Sequence, residues 1–191
     1  MGLEDLAFMR TVPASAVLCP SDAVSAEGVL AASVSHPGLV YFRTARPKTP
    51  ILYSADEEFL LGGSKTLRSS DHDRVTLLAA GYTVHEALKA ADQLAERGIN
   101  VRVIDMYSVK PLDRETLRRA SRETELMVTV EDHYPAGGLG EAVAVQVAGH
   151  PCDFLALAVE GLPRSGSTDE LLEQHGISAS RIVQAVTTRL Q

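Results

Sequence analysis

The sequence predicts an α/β protein: a three-layer αβα domain with a mostly parallel sheet, preceded by a partial α/β segment. Three observations carry this. From about Val75 onward, apolar strand-like runs alternate with amphipathic helical patterns, the arrangement that builds a layered sheet. The helical patterns are bounded by capping residues and stop glycines, so each helix has a defined start and end. The first 60 or so residues hold only two strand and two helix patterns, too few to bury a core of their own. They therefore read as the end of a larger domain. The division is placed at residues 1–55, a partial domain with its linker, and 56–191, a complete domain.

In order along the chain, Leu3–Met9 reads as the tail of a helix and Ala16–Cys19 as a strand. A helix follows Ser21, and Leu39–Phe42 reads as a strand. The tract Arg46–Tyr53 carries two prolines that break regular pairing, so it is read as linker. Arg74–Ala80 is a buried strand ending at Gly81. Thr83 opens a helix, and Glu86 three residues later is expected to complete a capping box. Val84, Ala87, Leu88, Ala91, Leu94 and Ala95 share one face of it, and Gly98 stops it. Asn100–Met106 is the next strand, Lys110-Pro111-Leu112 a turn, and Asp113 the N-cap of a helix reaching about Glu123. Glu125–Val130 and Phe154–Val159 are two further strands, with a glycine-rich loop and a small-residue helix, about Leu139 to Ala148, between them. Ser167 and Glu170 form a second capping box, Gly176 ends that short helix, and Ser178 starts the last one.

Composition narrows the function classes. Eighteen Lys and Arg against 25 Asp and Glu give a formal net charge of -7, which argues against a general nucleic-acid or anionic-membrane surface. The N-terminal residues lack the basic-then-apolar order of a signal peptide, and no apolar run reaches the roughly 18 residues of a membrane span. Cys19 and Cys152 lie far apart with no metal-ligand spacing around them, and read as reduced, partly buried thiols of a cytoplasmic protein.

Familiar catalytic patterns are mostly missing. His85-Glu86 lacks the second histidine of HExxH, and Gly63-Ser64-Lys65-Thr66 lacks the upstream glycine of a phosphate loop. Three places can carry function. Arg43 follows an apolar strand, and strand carboxyl ends in open α/β sheets line ligand crevices. Its guanidinium either clamps a phosphate or is a surface arginine at a strand end. The run Glu131–Tyr134 is followed by Gly137-Gly138-Leu139-Gly140, where backbone N–H groups either face a small anion or simply allow a tight turn. Arg164, in Leu162-Pro163-Arg164-Ser165-Gly166, either makes a salt bridge between domains or subunits or is a loop arginine preceding the Ser167 cap.

Taken together, the segments resemble transketolase over essentially the whole chain. The matching stretches are LEDLAFMRTVP at 3–13, PSDAV at 20–24, FRTARP at 42–47, VHEALKAA at 84–91, KPLDRETL at 110–117, VEDHYPAGGLGEAV at 130–143 and PRSGSTDELLEQHGI at 163–177. KPLD and the GGLGEAV run also resemble deoxyxylulose-phosphate synthase and the β subunits of 2-oxo acid dehydrogenases. VEDHY with PRSG and LLEQHGI is similar to transketolase in particular, and most to its animal-type branch.

The resemblance implies the last third of a pyrimidine-binding domain plus an entire C-terminal domain. In the assembled enzyme, such a chain would support transfer of a two-carbon ketol unit between sugar phosphates, with thiamine diphosphate and a divalent cation (Mg or Ca) as cofactors. The family's activating glutamate and its GDG…N metal motif lie upstream of the matching residues. The chain alone is therefore expected to bind no cofactor and to be inactive. An N-terminal transketolase portion and a dimer are the implied partners. Arg43 is the one residue whose role is implied, as the contact to the sugar's phosphate; Arg46 is assigned none. The rival expectation is a non-catalytic assembly or regulatory domain that takes a small anion at Gly137–Gly140.

Overall fold

Helix α1 (Asp5–Thr11) leads into β1 (Ala16–Leu18), α2 (Ala23–Ser33) and β2 (Val40–Phe42). After a connecting stretch come β3 (Lys65–Arg68), β4 (Val75–Ala79), α3 (Thr83–Ala95), β5 (Val101–Asp105), β6 (Ser108–Lys110) and α4 (Arg114–Glu123). The chain closes with β7 (Leu126–Val130), α5 (Leu139–Val147), β8 (Asp153–Leu157), α6 (Thr168–Gln174) and α7 (Ala179–Arg189). The structure, a computed structural model, describes residues 2–191.

A five-stranded sheet in the order β3-β5-β4-β7-β8 forms the larger layer. β5, β4, β7 and β8 run parallel, and β3 is an antiparallel edge. Of the three inner strands, β4 and β7 are buried at every residue and β5 at all but Arg102, because helices cover both faces. On one face Leu77, Val103 and Val128 pack with α3 and α7 through Val84, Leu94 and Ile182. On the other, Leu78, Ile104 and Met127 pack with α4 and α5 through Leu117, Leu139 and Val143, joined by Leu6 of α1. Each such leucine contributes about 1.5–3 kcal/mol through burial. Thr76 in the middle of β4 is fully buried yet satisfied, its hydroxyl 3.0 Å from that of Thr124.

The smaller sheet, β2-β1-β6, joins the two regions of the chain. β1 and β2 are parallel, but β6 comes from the later region and pairs antiparallel with β1, Val17 opposite Lys110 and Leu18 opposite Ser108. The first residues thus acquire a core by sharing one: Leu18 and Val29 pack with Tyr53, Phe59 and Tyr107.

Asp113 caps α4 through the Thr116 N–H at 3.0 Å, Ser167 and Glu170 make their capping box, and Ser178 caps α7. The expected Thr83–Glu86 box does not form. Tyr82 is the N-cap and no side chain caps α3. Thr83 instead donates its hydroxyl to the carbonyls of Ala80 and Val130, while Glu86 reaches the Ala179 N–H at 2.8 Å and so serves the start of α7. A carboxylate at that helix start also meets the dipole favourably. β3 and β6 were not anticipated. β3 is a short edge whose Lys and Arg suit a solvent margin, and β6 immediately precedes Pro111, which the sequence presents as a turn.

Candidate active-site cleft

A cleft of about 590 Å³ opens between the end of β2 and the C-terminal layer. Arg43, Thr44 and Arg46 line one side, and Tyr82, Leu171 and His175 the other. That volume and mixed lining suit a small ligand with an anionic end.

Arg43 sits where β2 stops, its N–H bonded to the Leu18 carbonyl at 2.8 Å. Its guanidinium is held from both regions of the chain. Nε donates to Asp5 Oδ2 at 2.9 Å, Nη1 to Asp132 Oδ1 at 2.5 Å, and Nη2 to the Asp132 carbonyl at 3.0 Å. Tyr41, one strand position before Phe42, donates its hydroxyl to the same Asp5 oxygen at 2.6 Å. His133 completes the floor: its Nδ1–H donates to the Tyr134 carbonyl at 2.7 Å, leaving Nε2 to accept the Ala7 N–H at 3.4 Å. Asp5 Oδ1 lies 4.0 Å from His133 Nε2.

The electrostatics follow from this geometry. Burial pushes the Asp5 carboxyl up, but the Tyr41 hydroxyl and the Arg43 charge outweigh it and hold it below its ordinary value. Burial and the Asp5 contact push Tyr41 up to about 12. Burial disfavours the charged Arg43, yet Asp132 beside it raises the guanidinium above its usual range. Burial pushes the Asp132 carboxyl up, against the lowering effect of the Arg43 charge and hydrogen bond, so one guanidinium is shared between two carboxyl groups. Three of the five N–H donors of Arg43 are committed, so two are spare.

Arg46, three residues on, lines the same cleft, is exposed, and makes no hydrogen bond or ion pair among the described residues. Arg164 is exposed in its loop and likewise unpaired among the described residues, so the bridge between domains considered for it does not form within this chain.

The glycine-rich turn is not an anion site, because the protein already fills it. The Glu131 carboxylate accepts the N–H groups of Leu139 at 2.6 Å and Gly140 at 2.8 Å at the start of α5. The Gly137 N–H goes to Glu141, and that of Gly138 to the Pro135 carbonyl at 3.3 Å. Gly138 is required here: a Cβ would stand 2.1 Å from Glu131 Oε2. Burial pushes Glu131 up to about 7, against the two backbone bonds. The regulatory-anion expectation at Gly137–Gly140 is therefore corrected.

The other motifs resolve structurally. His85 Nε2 meets the Ser21 carbonyl at 2.8 Å, and Ser64 donates to Asp113 at 2.8 Å. Cys19 is buried, Cys152 half-buried, and both are free. Asp5, Tyr41 and Asp132 went unrecognised in the sequence: Asp5 and Asp132 sit in family-like stretches and Tyr41 in the strand before one, but Arg43 is 38 residues from Asp5 and 89 from Asp132. No local spacing reports such a meeting.

The description "Transketolase, C-terminal domain" matches residues 64–182, and "Transketolase, pyrimidine binding domain" matches residues 1–51. The chain is 46% identical to transketolase-like protein 1 of Bos taurus over 189 residues, covering 97% of this chain and 32% of that protein. It is 45% identical to the transketolase of Homo sapiens over 188 residues, covering 97% of this chain and 30% of that one. The chain thus spans about a third of the length of these relatives. Among solved structures, a split-gene transketolase described as an inactive beta4 tetramer superposes with a TM-score of 0.90 at 36% identity, covering 98% of this chain and 61% of that one. The Campylobacter jejuni transketolase, at 21% identity and a TM-score of 0.76, shares the fold. By sequence along its whole length and by fold, this chain belongs to the transketolase family.

Proposed function

We propose that this chain is the substrate-phosphate and assembly portion of a thiamine-diphosphate-dependent transketolase. It would work with an N-terminal portion carrying the rest of the pyrimidine-binding domain and the diphosphate-binding domain, as a cytoplasmic dimer. The pyrimidine-type part is taken to end at about residue 55. Among the described residues no group of three His, Cys, Asp or Glu comes together to hold a metal ion. Thiamine diphosphate, where bound, supplies the carbanion stabilisation that ketol transfer needs.

What this chain contributes is orientation. The carrying observation is the pair of arginines at the end of β2, one fixed and one free. A phosphate dianion placed on Arg43 alone would meet the Asp5 and Asp132 carboxylates. Arg46 brings an uncommitted guanidinium to the same cleft and offsets that charge. On this reading Arg46 takes the direct two-point contact to the phosphate, while Arg43 anchors the turn and offers its two spare donors. Binding energy at the phosphate end then serves positioning of the distant carbonyl.

The test is the ratio of kcat/KM for xylulose 5-phosphate and for hydroxypyruvate in the assembled enzyme. Arg46→Ala should lower the xylulose 5-phosphate value by roughly 2–4 kcal/mol in transition-state terms and leave hydroxypyruvate nearly unchanged. Arg43→Ala should depress both donors and lower stability. An unchanged ratio in Arg46→Ala defeats the reading.

A further inference from the structure

Between Arg43 and Leu52 the chain is tethered only at its ends. Residues 44–51, which carry Arg46, make no hydrogen bond among the described residues. At the near end stands the Arg43 clamp. At the far end the Leu52 N–H donates to Asp22 Oδ2 at 2.7 Å, and the Tyr53 N–H to the same oxygen at 3.3 Å. Asp22 itself is 5% exposed and fixed, its other oxygen capping α2 through the Ser25 N–H at 2.7 Å. Beyond it the Tyr53 hydroxyl donates to Asp105 Oδ2 at 2.7 Å, and the Ser21 hydroxyl to the same atom at 2.5 Å. The Tyr53 ring lies edge-on to Phe59 at 5.1 Å, and Phe59 edge-on to Tyr107 at 5.2 Å. Asp105 is fully buried at the carboxyl end of β5, in the larger sheet, and its Oδ1 has no partner among the described residues.

A fully buried carboxyl of this kind is costly, and an apolar side chain would pack at lower cost. Its two bonds reach the two ends of one structural problem: Ser21 beside the cap of α2, and Tyr53 at the end of the arginine-bearing turn. We infer that Asp105, acting through Tyr53 and Ser21, is a positioning residue for the phosphate-binding turn, so that the core of the C-terminal layer sets sugar-phosphate affinity without touching the ligand. The inference rests on the reading of Arg46 given above. The physical reason is population: releasing the Tyr53 end lengthens the free stretch, and the ligand must then select a conformer that is less often present.

The chain itself serves for the test, titrated with inorganic phosphate while the Thr44 and Arg46 amide resonances are followed. Tyr53→Phe, which keeps the ring and deletes the hydroxyl, should weaken phosphate about tenfold if the competent conformer falls to about one tenth. Asp105→Ala should do the same. Asp105→Asn, whose amide oxygen still accepts from Tyr53 and Ser21, should recover most of the loss, a rescue that a mere packing defect would not give. Should Asp105→Ala fail to fold, Tyr53→Phe and Asp105→Asn carry the test. Wild-type affinity in Tyr53→Phe, with Arg46→Ala impaired, overturns the positioning role and leaves the arginine reading standing. Equal loss in Asp105→Ala and Asp105→Asn also overturns it. Wild-type affinity in Arg46→Ala, or no phosphate binding by the wild-type chain, removes the reading on which the inference rests.

Discussion

The two sheets of this chain are held together by different means. In the five-stranded sheet, the inner strands β4 and β7 are buried throughout and the third, β5, nearly so, and helices meet them on both faces. The three-stranded sheet has three-residue strands, and every residue of its edge strand β2 is only half-buried. Its apolar cluster is small, and it borrows β6, Phe59 and Tyr107 from the later region. Charged and polar groups hold what apolar area does not. Lys110 Nζ donates to the Arg10 and Val12 carbonyls at 2.8 and 2.6 Å, Arg43 joins Asp5 to Asp132, and Asp105 gathers Ser21 and Tyr53. Apolar burial makes a scaffold that tolerates little change in shape. Directional contacts fix a strand end to within hydrogen-bonding distance, as a ligand site requires.

The largest expected contrast tests that difference in stability directly. Leu78→Ala, at a position of 0% exposure in β4, should cost about 2–5 kcal/mol by urea unfolding. Val40→Ala on half-buried β2 should cost about 1 kcal/mol or less. Similar losses at both positions would show the two sheets to be equally dependent on packing.

A second contrast concerns the junction between the sheets. Burial drives the Asp105 carboxyl from its ordinary 3.8 to about 7, against the bonds from Ser21 and Tyr53 and helped by the nearby Asp22 charge. His85 faces the same corner through the Ser21 carbonyl. A carboxyl whose value is raised on folding contributes stability that is fully present below its unfolded value and is lost as pH rises through the folded one. The urea midpoint of wild type relative to Asp105→Asn should therefore fall between about pH 4 and pH 7 and level off above. A difference that stays constant with pH would mean that Asp105 does not titrate in this window.

The smallest effect belongs on the surface of the larger sheet. Arg74 forms a two-point pair with Glu125 at 2.9 Å for each bond, but both side chains are largely exposed. Exposed pairs gain little over water. Arg74→Ala should leave Tm unchanged within error, whereas a clear drop would give the larger sheet an electrostatic dependence of its own.

Much of the larger domain was legible because its signals are local. The Asp113 cap, the Ser167–Glu170 box, and the left-handed glycines at 98 and 176 each act within a few residues. The Thr83–Glu86 pattern misled for the complementary reason: Glu86 found a partner 93 residues away at α7. β3 escaped notice as a four-residue polar edge, and β6 because Pro111 advertises a turn.

By itself the sequence determined the α/β class, the order of helices and parallel strands, the transketolase family and the strand-end location of Arg43. Those properties reside in periodicity, capping residues and motif order, all of which are encoded along the chain. Tertiary structure decided that Arg43 is bound between Asp5 and Asp132, that Arg46 is unpaired among the described residues, that Glu131 fills the glycine-rich turn, and that Asp105 meets Tyr53 and Ser21. Each of these is a charge or hydrogen-bond pairing across tens of residues. Burial decides such pairings, because a desolvated polar group must find its partner wherever the fold brings one.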